Sequence, residues 1–166
     1  MENEMMEVKV MGIVADPKAS NPVVILVDLV GKRALPIWIG VFEAEAISRG
    51  LEEVVTLRPM THDLMKQILD MFQVAVTRVV IHDIKDNTFY ANLYLNIEGE
   101  ELIVDSRPSD AIALAVRVKA PIFVSESVIE ATKELGIFAS NLLEEQDELK
   151  LIIEEMKPED FGKFKM

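Results

Sequence analysis

The stretch Asp105-Ser106-Arg107-Pro108-Ser109-Asp110-Ala111-Ile112-Ala113-Leu114-Ala115 carries a strand into a helix and has a counterpart earlier in the chain. Gly40-Val41-Phe42-Glu43-Ala44-Glu45-Ala46-Ile47 makes the same transition, with Glu45-Ala46-Ile47 falling on Asp110-Ala111-Ile112 at an offset of 65 residues. Outward from these anchors the same order of elements recurs. Met5 to Ala15 alternates as a strand does, and a turn-rich Asp16–Pro22 leads into the apolar run Val23 to Val30. Ala34 to Ile39 reads as a third strand, and a helix from about Phe42 to Glu53 follows, with Ala46, Ile47 and Leu51 on one face. A second helix starts at Thr61, its N-cap, with Leu64, Met65, Ile68, Leu69 and Phe72 in helical spacing.

The second copy runs through strands at Val76–Ile84, Thr88–Ile97 and Leu102–Val104, then a helix from about Pro108 to Lys119. Pro121 to Val124 reads as a short strand. A last helix follows Ser125 with Val128, Ile129, Thr132 and Leu135 inward. One duplication of this kind is not a solenoid, which needs at least three units. Short turns between strands favour antiparallel pairing, so the expected fold is α+β, with helices packed on a mostly antiparallel sheet. Its halves are about 5–73 and 74–138. Residues 139–166 form an acidic tail, where Leu142, Leu143, Leu149, Ile152, Ile153 and Met156 suggest an amphipathic helix ended by Lys157-Pro158.

Composition narrows the function. The 166 residues are 50% hydrophobic and include no cysteine, which excludes disulfides, thiol catalysis and thiolate metal sites. Apolar runs are too short for a membrane span. Met1-Glu2-Asn3-Glu4 is acidic and leads into strand-like alternation rather than a signal peptide, so a cytoplasmic location is expected. The net charge is −12, spread over both the body and the tail, which argues against a passive nucleic-acid-binding module. No P-loop, dinucleotide turn, zincin helix or nucleophile elbow is present.

Residues that a duplicated fold requires should recur, and those peculiar to one half are freer to serve chemistry. Glu45 and Asp110 recur as acids at equivalent helix starts, which the helix dipole explains. The cluster around Arg107 does not recur. Pro108 suits a first helical turn, and the free N–H groups there, with Ser109 and Arg107, could hold a phosphate. Asp105 and Asp110 would repel that anion unless a hard cation bridged them, as in a Mg²⁺- or Mn²⁺-assisted phosphodiester hydrolase. The structural alternative is that Asp105 or Ser106 caps the helix while Arg107 pairs with an acid. The first half has its own cluster, Arg58-Pro59-Met60-Thr61-His62-Asp63. A helix N-terminus disfavours imidazolium, so His62 suits a general base or metal ligand, unless it is an exposed histidine without a task. His82 reads as a satisfied histidine on a half-buried face. Trp38 and Phe42 read as core or interface packing, with base stacking the alternative.

Four stretches carry a resemblance: Leu35 to Gly40, Arg58 to Leu64, Thr88 to Ala91, and Asp105 to Ala115. Together they resemble the bifunctional nuclease family over roughly residues 5–138, first catalogued as a domain of unknown function. The resemblance implies hydrolysis of RNA and DNA, plant relatives being described as nucleases acting on both. The family's shared residues fall on Glu43, Arg58, His62, Asp63, Asp105, Arg107, Ser109 and Asp110. On this reading His62, Asp63, Asp105 and Asp110 are catalytic. Arg58, Arg107 and Ser109 bind phosphate, and Asp105, Asp110 and Glu43 hold a divalent metal, Mg²⁺ or Mn²⁺. The alternative is a noncatalytic domain whose pocket holds nucleic acid or a partner protein. The tail does not match the repair-interaction segment that some members append. A homodimer is expected, from the apolar content, nine Met and the sheet edges of a duplicated β-rich unit. The Arg58–Asp63 and Asp105–Asp110 segments are expected to meet in one asymmetric pocket.

Overall fold

A computed structural model of the chain describes residues 4–15, 21–30 and 33–134. Strands β1 (Met5–Ala15), β2 (Pro22–Asp28) and β3 (Ala34–Trp38) lead to helices α1 (Val41–Leu51) and α2 (Thr61–Met71). Strands β4 (Ala75–Lys85), β5 (Thr88–Ile97) and β6 (Glu100–Ser106) then lead to α3 (Pro108–Val118), β7 (Ile122–Ser125) and α4 (Glu126–Glu134). The β-β-β-α order recurs, as the superposed sequence requires, and β7 is the element without a counterpart. The tail helix and Leu135 lie outside the described residues.

The seven strands form one sheet in the order β3-β2-β1-β7-β4-β5-β6. Short connections make the β1–β2, β2–β3, β4–β5 and β5–β6 pairs antiparallel, while β7 joins the two halves, antiparallel to β1 and parallel to β4. The fold is therefore α+β, with a mixed sheet dominated by antiparallel pairs. The β4–β5 turn places Asp86 and Asn87 at φ 48° and 58°, as a two-residue hairpin demands. The β5–β6 turn repeats this with Glu98 and Gly99, at φ 53° and 90°.

The core follows from the apolar runs. Val23 to Val27 and Ala34 to Trp38 are buried on both faces, which is why neither segment alternates. Ile47 of α1 and Ile112 of α3, one from each half, are completely buried. Trp38 is core, whereas Phe42 is exposed. The buried face of α1 is Ala44, Ile47 and Gly50; Ala46 is only partly buried and Leu51 is exposed, a rotation from the face read in the sequence. Gly50 explains the rotation. A Cβ there would lie 2.5 Å from Val116 Cγ2 and 2.8 Å from Arg117 Nη1, so its absence lets α1 pack closely on α3.

The larger departure is α2. Leu64, Met65, Ile68 and Phe72 keep helical spacing but face solvent, and the helix's one buried residue is His62. Its N-cap is Met60, one residue before Thr61. The Asp63 carboxylate accepts a hydrogen bond from the Met60 N–H at 3.0 Å, so the capping comes from within the first turn.

Candidate active site

Helices α1, α2 and α3 start at N-caps Gly40, Met60 and Arg107, and each carries an acid at its third position: Glu43, Asp63 and Asp110. An acid there compensates the positive end of the helix dipole. The equivalent acids of the two halves are therefore Glu43 and Asp110. The sequence superposition, two residues out of step at this point, had paired Asp110 with Glu45. Glu45 instead forms an exposed i,i+4 ion pair with Arg49.

Contacts join the three helix starts. Arg107 Nε donates to Asp110 Oδ2 at 2.7 Å, and Arg107 Nη1 donates to Glu43 Oε1 at 3.1 Å. On its other oxygen, Asp110 Oδ1 lies 3.0 Å from His62 Nε2. One residue along α2, Asp63 Oδ1 accepts from Arg117 Nε at 2.7 Å. Arg117 also donates through Nη1 to the carbonyls of Ala46 and Ala113, at 2.8 and 2.7 Å. With its side chain only 7% exposed, Arg117 clamps all three helices. The Arg58–Asp63 and Asp105–Asp110 segments thus meet through His62 and Asp110.

The electrostatics follow from these partners. Asp110 is pulled down from 3.8 to about 2, chiefly by its hydrogen bond to His62 and then by Arg107, against the opposing effect of burial. Asp63 is also lowered, mainly by Arg117 and further by the Met60 N–H, again against burial. Arg107 is raised by Asp110 and Glu43. At neutral pH, Asp110 is thus an ionised acceptor, so His62 Nε2 carries the hydrogen and donates it. His62 Nδ1 makes no hydrogen bond among the described residues. Glu43 Oε2 is buried and has no hydrogen-bond partner among the described residues, while Arg107 remains half-exposed.

The remaining expected residues are placed differently. Ser109 is buried in the first turn of α3 but makes no side-chain hydrogen bond among the described residues. Arg58 is exposed just before α2, its guanidinium unpaired among the described residues. Asp105 is exposed on β6, paired across the ladder with Asn92, and joins no ion pair among the described residues. Neither Asp105 nor Ser106 caps α3, because Arg107 is itself the N-cap residue. Among the described residues no three His, Asp or Glu side chains converge as a metal-ligand set. Glu43 and Asp110 turn instead toward the Arg107 guanidinium. Two carboxylates already engaged by a guanidinium do not fit a divalent ion.

Two residues went unread in the sequence, Arg117 and Gly50. Arg117 lies two helical turns beyond Asp110, on the same face of α3, and that phase was the available signal. His82 sits at a bulge where the β4–β5 register shifts between Ile81 and Asp83, so simple alternation does not describe it.

The fold and site define the chain as an α+β domain of the class in which helix N-termini bring together a histidine, three carboxylates and two arginines. Comparison with known proteins makes the class specific: residues 24–135 match the model of the bifunctional nuclease domain. The chain belongs to that family. It is 36% identical over 160 residues to an uncharacterised protein of Mycobacterium tuberculosis strain H37Rv, covering 96% of this chain and 93% of the relative. It is 30% identical over 114 residues to bifunctional nuclease 2 of Oryza sativa subsp. japonica, covering 66% of this chain but 35% of the plant protein. With bifunctional nuclease 2 of Arabidopsis thaliana the match is 30% over 95 residues, 55% of this chain and 29% of the relative. The chain therefore spans about a third of the plant proteins' length. No helix among the described residues is long and apolar enough to cross a membrane.

Proposed function

We propose that the chain hydrolyses phosphodiester bonds in RNA and DNA at the His62–Asp110–Arg107–Glu43 cluster. The observation that carries this reading is the 3.0 Å contact between His62 Nε2 and Asp110 Oδ1, beside a half-exposed arginine at a helix N-terminus. An ionised carboxylate fixes the imidazole tautomer and stabilises the imidazolium that proton transfer creates. His62 Nδ1 takes the proton of the attacking water as its oxygen bonds to phosphorus. The bond to the departing nucleotide oxygen breaks, and that oxygen receives a proton from the imidazolium or solvent. The guanidinium edge of Arg107 not used by Asp110 and Glu43 contacts the phosphoryl oxygens as charge builds on them. Arg58, exposed and unpaired among the described residues on the same segment as His62, supplies a second phosphate contact. The names of the plant relatives support a nucleic-acid substrate.

The proposal includes a homodimer, supported by the apolar surface that α2 leaves exposed. A second, noncatalytic reading has one observation in its favour: Arg107 and Arg117 are already neutralised by the chain's own carboxylates. The test is cleavage of single-stranded RNA and DNA by highly purified chain with Mg²⁺, with Mn²⁺ and with chelator. Cleavage that vanishes in an Asp105→Ala/His62→Ala double variant supports the nuclease. Binding of the same strands without cleavage supports the second reading, and cleavage persisting in the variant marks a contaminant.

A further inference from the structure

Helix α2 carries His62, yet only one narrow face of it, His62, Asp63 and Leu69, is held against the rest of the chain. Its first turn docks through His62 on Asp110 and Asp63 on Arg117, and Leu69 packs partly on the core. The other side presents Leu64, Met65, Ile68 and Met71, with Phe72 at the C-cap, from 36% to 80% exposed. These residues sit at i, i+1, i+4, i+7 and i+8, within an arc of about 120°. None is charged. The Lys66–Asp70 ion pair lies outside the stripe. An 11-residue helix is too short to stand on its own propensity, so most of its stability must come from a covered apolar face.

We infer that a second copy of this chain covers the stripe, α2 packing on α2 about a two-fold axis, and that this packing completes the support of the His62 helix. The occupant follows from three observations. The 4–3 spacing Leu64–Ile68–Met71 is the seam of a helix pair, and a two-fold pairing makes such a seam complementary to itself. The stripe and the fully exposed Leu57 before it make six side chains. At on the order of 100 Å² each they approach one partner's share of a standard interface. An acidic chain of net charge −12 repels its copies except where the surface carries no charge, as here. The inference deepens the homodimer reading and is independent of nuclease activity.

The test uses the full chain and the variants Ile68→Glu and Ile103→Glu. Ile68 is 46% exposed and Ile103 on β6 is 56% exposed, so the subunit fold tolerates both changes. Light scattering at micromolar concentration should give twice the 18.7 kDa chain mass for the wild type and for Ile103→Glu, with the single mass for Ile68→Glu. Circular dichroism should show all three folded. Amide exchange in α2 should quicken about tenfold or more in Ile68→Glu, because its apolar stripe is then left uncovered. A wild-type monomer overturns the homodimer reading and this inference together. A dimer that survives Ile68→Glu, or dissociates only with Ile103→Glu, overturns this inference alone. A monomeric wild type whose binding to a short single-stranded oligonucleotide is lost in Ile68→Glu assigns the stripe to nucleic acid and overturns it as well.

Discussion

Replacing Asp110 by Asn removes the one carboxylate shared by His62 and Arg107 while keeping the side chain's size. A carboxyl held at about 2 instead of 3.8 corresponds to about 2 kcal/mol of native-state stabilisation at neutral pH. Solvent reaches 28% of the side chain, so screening reduces the expected loss to about 1–2 kcal/mol. Because the folded-state value is depressed, the contribution is complete above the unfolded carboxyl's 3.8 and disappears as pH falls through about 2. Urea unfolding at pH 7 and pH 3 should therefore show different costs for Asp110→Asn, with about half the neutral-pH loss remaining at pH 3. Direct titration of Asp110 by carbon NMR gives the same quantity independently. A loss that is equal at both pH values, or an Asp110 that titrates near 3.8, would refute the ion-pair geometry on which the site rests.

The other perturbations separate scaffold from chemistry. Arg117→Met strips Asp63 of its buried counter-ion and removes the bonds that tie α3 to α1 and α2, so urea unfolding should show a loss of about 3 kcal/mol; less than 1 kcal/mol would deny the clamp. Gly50→Ala should destabilise by about 1–2 kcal/mol despite alanine's better helix propensity, because its Cβ meets Val116 and Arg117; a more thermostable variant would contradict the close packing. Arg107→Lys keeps the charge but cannot bridge Asp110 and Glu43 while contacting phosphate. Its kcat/KM on single-stranded substrate should fall about 100-fold with the melting temperature nearly unchanged, and an unaltered kcat/KM would remove Arg107 from the site.

Much of this architecture could be read from local pattern. The strand–strand–strand–helix order came from alternation and turn residues, because Asp86-Asn87 and Gly99 sit where hairpins need positive φ. The parallel β4–β7 pairing was not legible, since β7 has only four residues and its place between the halves is decided by long-range packing. The halves were superposed two residues out of step at the α1 and α3 starts. Local apolar identity aligned Ala46-Ile47 with Ala111-Ile112, whereas the N-caps align Glu43 with Asp110. His62 stood out because its surroundings have no equivalent in the second half. Its partner could not be read, because Asp110 is 48 positions away and meets it only when α2 crosses α3. Asp105 illustrates the opposite failure. Adjacency to Arg107 in sequence suggested a shared site, but a strand end leaves it exposed and unpaired among the described residues.

The proposed function makes His62 and Asp110 the working pair of a phosphodiesterase. It is tested most directly by the single-turnover cleavage rate of end-labelled single-stranded RNA, wild type beside His62→Ala, the two proteins purified in parallel. A general base of this kind contributes about 10²–10⁴ in rate, so the variant should lose at least a hundredfold while circular dichroism and subunit mass stay as in the wild type. Equal rates for the two proteins, or no cleavage by the wild type with Mg²⁺, Mn²⁺ or chelator present, would contradict it.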